Sequence, residues 1–345
     1  MYKYILVPLD GSRFSQRVLP YAKRLAKGLG IPIVLFHALE PDRFYSISND
    51  LKEEMRSGSG DDGVVDSMGH APNSSDSQTL RYLDLIIAGE KTTAESYLTT
   101  VAESLEQEGI EVSTIVVVGR ASQSILNVVS KNNGGIIAMS THGRSGLARW
   151  VLGSVASKVV YSSNIPVMLL RPSQDAGTSI DFSNVVVPLD GSLLSESILP
   201  TAAEVAKAMH LPVHLMQAIS LTGEVWVGPE PGPYYAEDIT KALEHSYDTY
   251  LDGIVEKLKE DGVEADRTVV IGPPDVKIGD IARDAGSSLI MMATRARTNM
   301  ERWLFGSVTE KVIRSAAGPV MVMRSADQVT SEAARIGEQH SPLAF

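Results

Sequence analysis

The sequence predicts an α/β protein made of two tandem doubly wound domains, each a five-stranded parallel sheet flanked by helices. Three observations lead to this prediction. The chain has 345 residues, a length that favours two domains over one. The sequence repeats itself, and within each repeat short apolar runs alternate with helix-length segments. Such alternation is typical of parallel strands joined by right-handed helical crossovers.

The repeat is visible in two pairs of short segments. Residues 4–12 (YILVPLDGS) recur as residues 185–192 (VVVPLDGS), and Asp10 and Asp190 are 180 residues apart. Residues 152–155 (LGSV) recur as residues 305–308 (FGSV), only 153 residues later. The first repeat therefore carries 27 additional residues before its LGSV segment.

The repeat predicts a first domain over residues 1–172, a second over residues 183–325 and a flexible tail over residues 326–345. The additional residues fall in an insertion at about 50–78, whose segment Ser57–Ser77 is rich in Gly, Ser, Asp and Asn. This composition predicts a flexible surface loop. Because the insertion follows the second strand, we keep a lid over a neighbouring site as the alternative.

Short apolar runs define the strands of the first repeat, and such runs favour strands buried on both faces. These runs are Ile5–Val7, Ile33–Phe36, Ile115–Val118, Ile136–Met139 and Val167–Leu170. The segments between them predict helices over Ser12–Leu29, Thr93–Glu108, Ser122–Asn132 and Ser154–Ser163. Gly30, Gly109 and Gly134 stand where these helices are expected to end.

Glycine-containing segments follow the first and fourth predicted strands. The first is Pro8-Leu-Asp-Gly-Ser12, and the second is Met139-Ser-Thr-His-Gly143. After nine intervening residues, Gly153-Ser154 opens a helix, where free backbone N–H groups and a hydroxyl suit a phosphate. An isolated Gly-Ser pair would more often be an ordinary helix cap.

In combination, these segments resemble the universal stress protein family, over nearly the whole chain and twice. ATP-binding members of that family carry Gly, two residues, Gly, nine residues, then Gly-Ser or Gly-Thr. The resemblance implies an adenine-nucleotide alpha-hydrolase-like fold with strand order 3-2-1-4-5 and pairing through the last strand. It also implies ATP, AMP or ADP as the ligand, with Mg²⁺ on the phosphates.

The resemblance assigns nucleotide contacts in the first domain. Pro8 and Asp10 match positions facing the base and ribose, and Ser140 stands where the family pattern has its first glycine. The full first-domain set is Pro8, Asp10, Ala38, Met139, Ser140, His142, Gly143, Gly153, Ser154 and Val155.

The second domain departs further from the pattern. Ala293 and Ala296 replace the two early glycines, and Arg295 replaces the histidine. We therefore expect a weaker or empty second site. Its residues are Pro188, Asp190, Ala218, Met292, Arg295, Gly306, Ser307 and Val308.

Composition and missing motifs narrow the function. A net charge of −11 argues against nucleic-acid and anionic-membrane partners. Cysteine is absent, no apolar run approaches the roughly 20 residues of a membrane span, and no signal peptide is evident, so we expect a cytoplasmic protein. No set of side chains suggests a metal site, and neither the P-loop nor the dinucleotide fingerprint is present.

We therefore expect an ATP-binding protein of stress response or signalling, in which nucleotide occupancy switches conformation or the binding of an unknown protein partner. No catalytic base is evident, so at most slow ATP hydrolysis is expected. The alternatives are a nucleotide-free interaction protein of the same fold and an ATP-dependent adenylating enzyme. The fifth strands, Val167–Leu170 and Val320–Met323, are expected to pair within the chain as a pseudo-dimer, and two chains to associate further as a homodimer.

Overall fold

The computed structural model describes residues 2–41, 74–132, 134–141, 152–171, 181–220, 233–294 and 307–325. The strands are β1 (Tyr4–Pro8), β2 (Ile33–Leu39), β3 (Val112–Val118), β4 (Gly135–Ser140), β5 (Val167–Leu170), β6 (Asn184–Leu189), β7 (Val213–Ile219), β8 (Ala265–Ile271), β9 (Ser288–Thr294) and β10 (Val320–Arg324). The helices are α1 (Arg13–Gln16), α2 (Leu19–Leu29), α3 (Ser74–Glu106), α4 (Ala121–Lys131), α5 (Ser154–Ser162), α6 (Leu193–Glu196), α7 (Leu199–Met209), α8 (Pro233–Glu260), α9 (Pro274–Asp284) and α10 (Ser307–Ser315).

All ten strands form one sheet in the order β3-β2-β1-β4-β5-β10-β9-β6-β7-β8. Each half is therefore a parallel sheet in the order 3-2-1-4-5. The halves join through β5 and β10, which run antiparallel with Met168 opposite Met321. This arrangement confirms the predicted fold class and the pairing of the fifth strands within the chain.

Helices cover both faces of the sheet and enclose a core on each side. On one face, Leu25 of α2 and Leu98 of α3 are fully buried in a core that continues into the second half. On the other face, Ile125 of α4 and Val159 of α5 are buried in a second continuous core. Strands that face apolar helices on both sides bury every side chain, which explains the unbroken apolar runs of β1 and β4.

The first predicted helix, Ser12–Leu29, is divided in two by the structure. Helix α1 ends at Gln16 and α2 begins at Leu19. Pro20 has no N–H to donate to the carbonyl of Gln16, so a continuous helix would lose this bond and bring the proline ring against that carbonyl. Pro200 divides α6 from α7 in the same way.

Helix α3 corrects the predicted boundaries of the insertion. It begins at Ser74, not at Thr93, and ends at Glu106. The predicted flexible segment of about 50–78 is therefore wrong for residues 74–78, which are helical, and the rest of that segment lies outside the described residues. Leu83, Ile86 and Ile87 of α3 pack on a small cluster around Leu39 and Ala94, apart from the two large cores, so the apolar periodicity of this stretch is faint in the sequence.

Two arginines cross the join between the halves in opposite directions. The Arg171 Nη1 atom donates to the Arg314 carbonyl oxygen at 2.7 Å, at the end of α10. The Arg324 Nη1 atom donates to the Tyr161 carbonyl oxygen at 3.2 Å, at the end of α5. The two contacts are related by the 153-residue offset of the repeat, so the domains pack about a pseudo-twofold axis.

Candidate functional site

A cleft of about 750 Å³ opens in the second domain where β6, β7 and β9 end, beside the first turn of α10. Its volume lies in the range of small-molecule sites. Six of the residues predicted for the second site line it: Pro188, Asp190, Ala218, Met292, Ser307 and Val308. The structure thus brings these six together, while Arg295 and Gly306 lie outside the described residues.

The walls of the cleft are apolar in the middle and polar at the ends. Met216 and Met292 contribute from the sheet, and Ile278 contributes from α9. Asp190, directly after β6, and Ser195, in α6, supply polar groups. Such a site suits a ligand with a flat apolar part and polar groups at its periphery.

Thr294, the last residue of β9, also lines the cleft. Its side chain is buried, with 5% of the residue exposed, and its Oγ1 atom has no hydrogen-bond partner among the residues that the structure describes. A buried hydroxyl left without a partner costs about 1–3 kcal/mol. The first turn of α10, on the same cleft, offers further N–H groups without intrahelical partners. Donors and acceptors of a ligand can satisfy both.

Asp190 is held by the residues that follow it. Its Oδ1 atom accepts hydrogen bonds from Ser192 N at 3.0 Å and Ser192 Oγ at 2.5 Å. Ser195 Oγ accepts from the Asp190 backbone N–H at 3.3 Å and donates to the Ser192 carbonyl at 2.9 Å. Burial alone would raise the pKa of Asp190, but the hydrogen bonds from Ser192 and Ser195 outweigh it and hold that pKa below its usual value. The carboxylate is ionised at neutral pH and fixed in one orientation.

Two cationic side chains of α10 line the cleft, and each is paired with a carboxylate. Lys311 Nζ lies 3.5 Å from Asp275 Oδ1, and Arg314 Nη2 lies 2.5 Å from Glu310 Oε1. A phosphate bound at this end of the cleft would lie near Lys311 and Arg314, both of which form ion pairs with carboxylates of the protein.

The first domain repeats the aspartate loop. Asp10 Oδ1 accepts from Ser12 N at 2.9 Å and from Ser12 Oγ at 2.6 Å. Ser15 takes the place of Ser195, with its Oγ 3.3 Å from the Asp10 N atom. Pro8 ends β1, next to this loop.

The other described first-domain residues lie on neighbouring strand ends and on α5. Ala38 is the penultimate residue of β2, and Met139 and Ser140 end β4. Gly153 N donates to the Thr141 carbonyl at 2.8 Å, which places the start of α5 beside the end of β4. Ser154 and Val155 form the first turn of α5. His142 and Gly143 lie outside the described residues.

Ser140 fits its position without backbone strain. Among the described non-glycine residues only His210 has a positive φ, so Ser140 does not need the glycine of the family pattern. Its Oγ atom is buried and has no hydrogen-bond partner among the described residues.

Several residues that line the cleft were not predicted from the sequence, namely Ser195, Thr294, Lys311 and Arg314. Ser15 and Ser195 left a signal, because Asp-Gly-Ser-x-x-Ser occurs in both repeats. Lys311 and Arg314 lie four and seven residues after Ser307, a spacing that places all three on one helix face. Thr294 left no signal that we can identify.

Within the described ranges, no three His, Asp or Glu side chains gather in a way that suits a metal ion. In the same part of the chain, no helix has both the length and the apolar character that a membrane crossing requires.

A family model described as the universal stress protein family matches residues 1–171 and again 181–324. Universal stress protein Rv2005c of Mycobacterium tuberculosis is 29% identical over 193 residues, which cover 56% of this chain and 63% of that protein. Less than two thirds of that relative is therefore matched. Universal stress protein YxiE of Bacillus subtilis is 29% identical over 151 residues, covering 41% of this chain and 99% of YxiE.

Among solved structures, a universal stress protein from Archaeoglobus fulgidus superposes with a TM-score of 0.61 at 21% identity. The superposition covers 94% of this chain and 98% of that one. The likeness extends over both halves of the molecule and concerns the fold.

Proposed function

This chain belongs to the universal stress protein family, with one family domain in each half, and from that premise we propose that it binds adenine nucleotides at the carboxyl ends of its strands. The ligand is ATP, or its products ADP and AMP, with Mg²⁺ carried on the phosphates. The biological role is a stress-response or signalling function in the cytoplasm.

The observation that carries this proposal is the second-domain cleft. Six residues chosen from the sequence for nucleotide contact converge on it. The same cleft contains the buried Thr294 Oγ1 atom, which has no partner within the described part of the chain and which a bound ligand would satisfy. Together these features support a ligand-binding site with specific polar groups and not merely a gap left by helix packing.

The residues divide among the parts of a nucleotide. The base would lie against Pro188 and Ala218, and Asp190 would accept from the ribose hydroxyls. The phosphates would lie at the first turn of α10, where N–H groups and the helix dipole favour anions. Lys311 stands one turn further along the same helix.

The first domain offers the corresponding parts in Pro8, Ala38, Asp10 and the first turn of α5. Gly153 caps that helix without a side-chain hydrogen bond, which leaves its first N–H groups to a ligand. We retain the expectation that this domain binds the nucleotide more tightly, because its loop carries Gly143 where the second has Ala296.

We propose occupancy as the signal, acting on conformation or on a protein partner, without rapid turnover. The cleft-lining carboxylates Asp190 and Glu310 are already engaged, Asp190 with serines and Glu310 with Arg314. Among the described residues that line the cleft, none is arranged as a general base beside a nucleophile. Slow hydrolysis is the most catalysis that we expect.

A calorimetric titration of nucleotide-free protein with Mg-ATP tests the proposal, with Gly153→Asp and Gly306→Asp as matched variants. Gly153 has φ −56° and ψ 150° at the helix cap, where Asp is favoured, so the first variant should fold. Its carboxylate would occupy the place of a phosphate. We expect each variant to lose binding in its own domain only.

Absence of binding in the unmutated protein would contradict the proposal and favour a nucleotide-free interaction protein. Release of pyrophosphate in the presence of an acceptor would favour an adenylating enzyme instead.

A further inference from the structure

We propose that Glu196 and Tyr250 are positioning residues that hold Asp190 for a ribose, and that Gln16 and Tyr97 do the same for Asp10. The inference rests on the proposed function and adds residues that lie behind the cleft. It concerns a contact between each aspartate loop and the long helix of the same domain, α8 or α3.

In the second domain the contact starts on α8. The Tyr250 hydroxyl donates to Glu196 Oε1 at 2.8 Å. Both side chains are half-buried, and Glu196 directly follows Ser195, which lines the cleft. Tyr250 therefore ties a rigid helix of 28 residues to the end of the short helix α6.

Glu196 follows Ser195 in the chain, and hydrogen bonds within residues 190–195 continue the connection from Ser195 to Asp190. Ser195 N donates to Ser192 Oγ at 3.1 Å, and Ser192 Oγ donates to Asp190 Oδ1 at 2.5 Å. Ser192 thus gives Oδ1 two hydrogen bonds, which fix the orientation of the Asp190 carboxylate that would accept from a ribose hydroxyl. Loss of the Tyr250 contact would loosen α6 and with it this orientation.

The first domain builds the same contact with different chemistry. Gln16 Nε2 donates to the Tyr97 hydroxyl oxygen at 3.0 Å. Gln16 and Glu196 are 180 residues apart, and Tyr97 and Tyr250 are 153 apart, so both pairs follow the repeat. The geometry is retained although the direction of the hydrogen bond is reversed.

Burial of Tyr250 raises its pKa above the usual value, with Glu196 and then Asp190 adding to the shift. The phenol therefore remains a donor throughout the neutral range. This agrees with a permanent brace between α8 and the aspartate loop.

The experiment uses the full chain carrying Gly153→Asp, so that binding reports on the second cleft. Dissociation constants are measured for ATP and for 2′,3′-dideoxy-ATP, which lacks the ribose hydroxyls. With the brace intact we expect ATP to bind about tenfold more tightly, since a hydrogen bond to a charged group contributes about 1.5–3 kcal/mol. Tyr250→Phe and Glu196→Ala should bring this ratio to within about twofold of one, mainly by weakening ATP.

Two controls separate positioning from folding. Tyr247→Phe makes the same change one turn earlier on α8 and should leave the ratio unchanged. Glu196→Gln should also retain the ratio, because Gln16 makes the equivalent contact in the first domain. Thermal unfolding of each variant checks that the fold persists.

A ratio that stays near tenfold in both Tyr250→Phe and Glu196→Ala would overturn the inference while leaving nucleotide binding intact. A ratio of one in the Gly153→Asp parent would also overturn it, because Asp190 would then not bind the ribose. If neither nucleotide binds the protein without substitutions, the proposed function and the inference both fail.

Discussion

Gly28 of α2 lies directly against Met209 of α7, across the join between the two domains. A methyl group added at Gly28 would stand 2.5 Å from Met209 Cγ, closer than real contacts allow. Met209 is itself buried, with 4% of the residue exposed. The absence of a side chain at Gly28 is thus what allows the two helices to approach, in addition to the pairing of β5 with β10.

Gly28→Ala should therefore destabilise the protein although alanine favours helices. We expect a net loss of about 1 kcal/mol, because overpacking typically costs about 1–3 kcal/mol and helix propensity returns up to about 1. Urea unfolding measures the difference. Gly89→Ala in α3 is the matched control, since nothing lies within 4 Å of its added methyl, and it should gain about 0.5–1 kcal/mol. An equal gain in stability in both variants would show that the Met209 side chain can move aside at no cost.

His210→Gly should stabilise the second domain by about 1 kcal/mol. His210 ends α7 with φ 54°, a left-handed conformation that disfavours side chains. The equivalent residue at the end of α2 is Gly30, with φ 64°. Gly30→Ala, which meets no atom within 4 Å, should lose a similar amount. Thermal unfolding tests both variants. If His210→Gly were less stable than the parent, the imidazole of His210 would stabilise the protein by more than its left-handed backbone conformation costs.

The sheet could be predicted because its strands are buried on both faces and therefore stand in the sequence as short apolar runs. The run Ile136–Met139 lies inside β4, and Val167–Leu170 coincides with β5. The beginning of α3 could not be predicted, because the periodicity there is weak and the next apolar residues, Leu83, Ile86 and Ile87, pack on a small separate cluster. The apolar periodicity that predicts a helix reflects its buried face, and a helix that extends beyond the sheet buries less of its surface.

The candidate site follows the same division. Asp190 and Ser307 could be predicted because each stands at a fixed position next to a strand end or helix start. The contact between Glu196 and Tyr250 could not, since it joins side chains 54 residues apart and no local pattern specifies it. The unpartnered state of Thr294 is likewise a property of packing alone.

Asp190→Asn should reduce stability at neutral pH and lose this effect in acid. The folded pKa of Asp190 is lowered, so its ionised form adds stability above the unfolded value of about 3.9. That contribution is lost as the pH falls through the folded pKa. Urea unfolding at pH 7 and at pH 3 should show a smaller difference between variant and parent at pH 3.

Ser192→Ala provides the control for this pH dependence. It removes one of the two hydrogen bonds that Ser192 gives Asp190 Oδ1, so the effect of Asp190→Asn should be smaller in its background. The same effect at both pH values would mean that Asp190 acts through shape and not through charge.

Thr294→Val should make the nucleotide-free protein more stable and the bound state weaker. Valine has nearly the shape of threonine and removes the buried Oγ1 atom, for which the described ranges offer no partner. Removing it should add about 1 kcal/mol of stability, near the lower end of the cost of an unpaired polar group. If a ligand normally satisfies this hydroxyl, ATP affinity in the second cleft should fall about fivefold, the equivalent of about 1 kcal/mol.

The two effects are measured separately, by thermal unfolding without nucleotide and by titration in the Gly153→Asp background. Ser140→Ala offers a comparison for stability in the first domain, because it removes a buried hydroxyl at a position where the second domain has Ala293. A gain in stability with unchanged affinity would place Thr294 outside the ligand contacts. A loss of stability would show that its hydroxyl has a partner in solution, and the strongest support for a ligand in this cleft would then be gone.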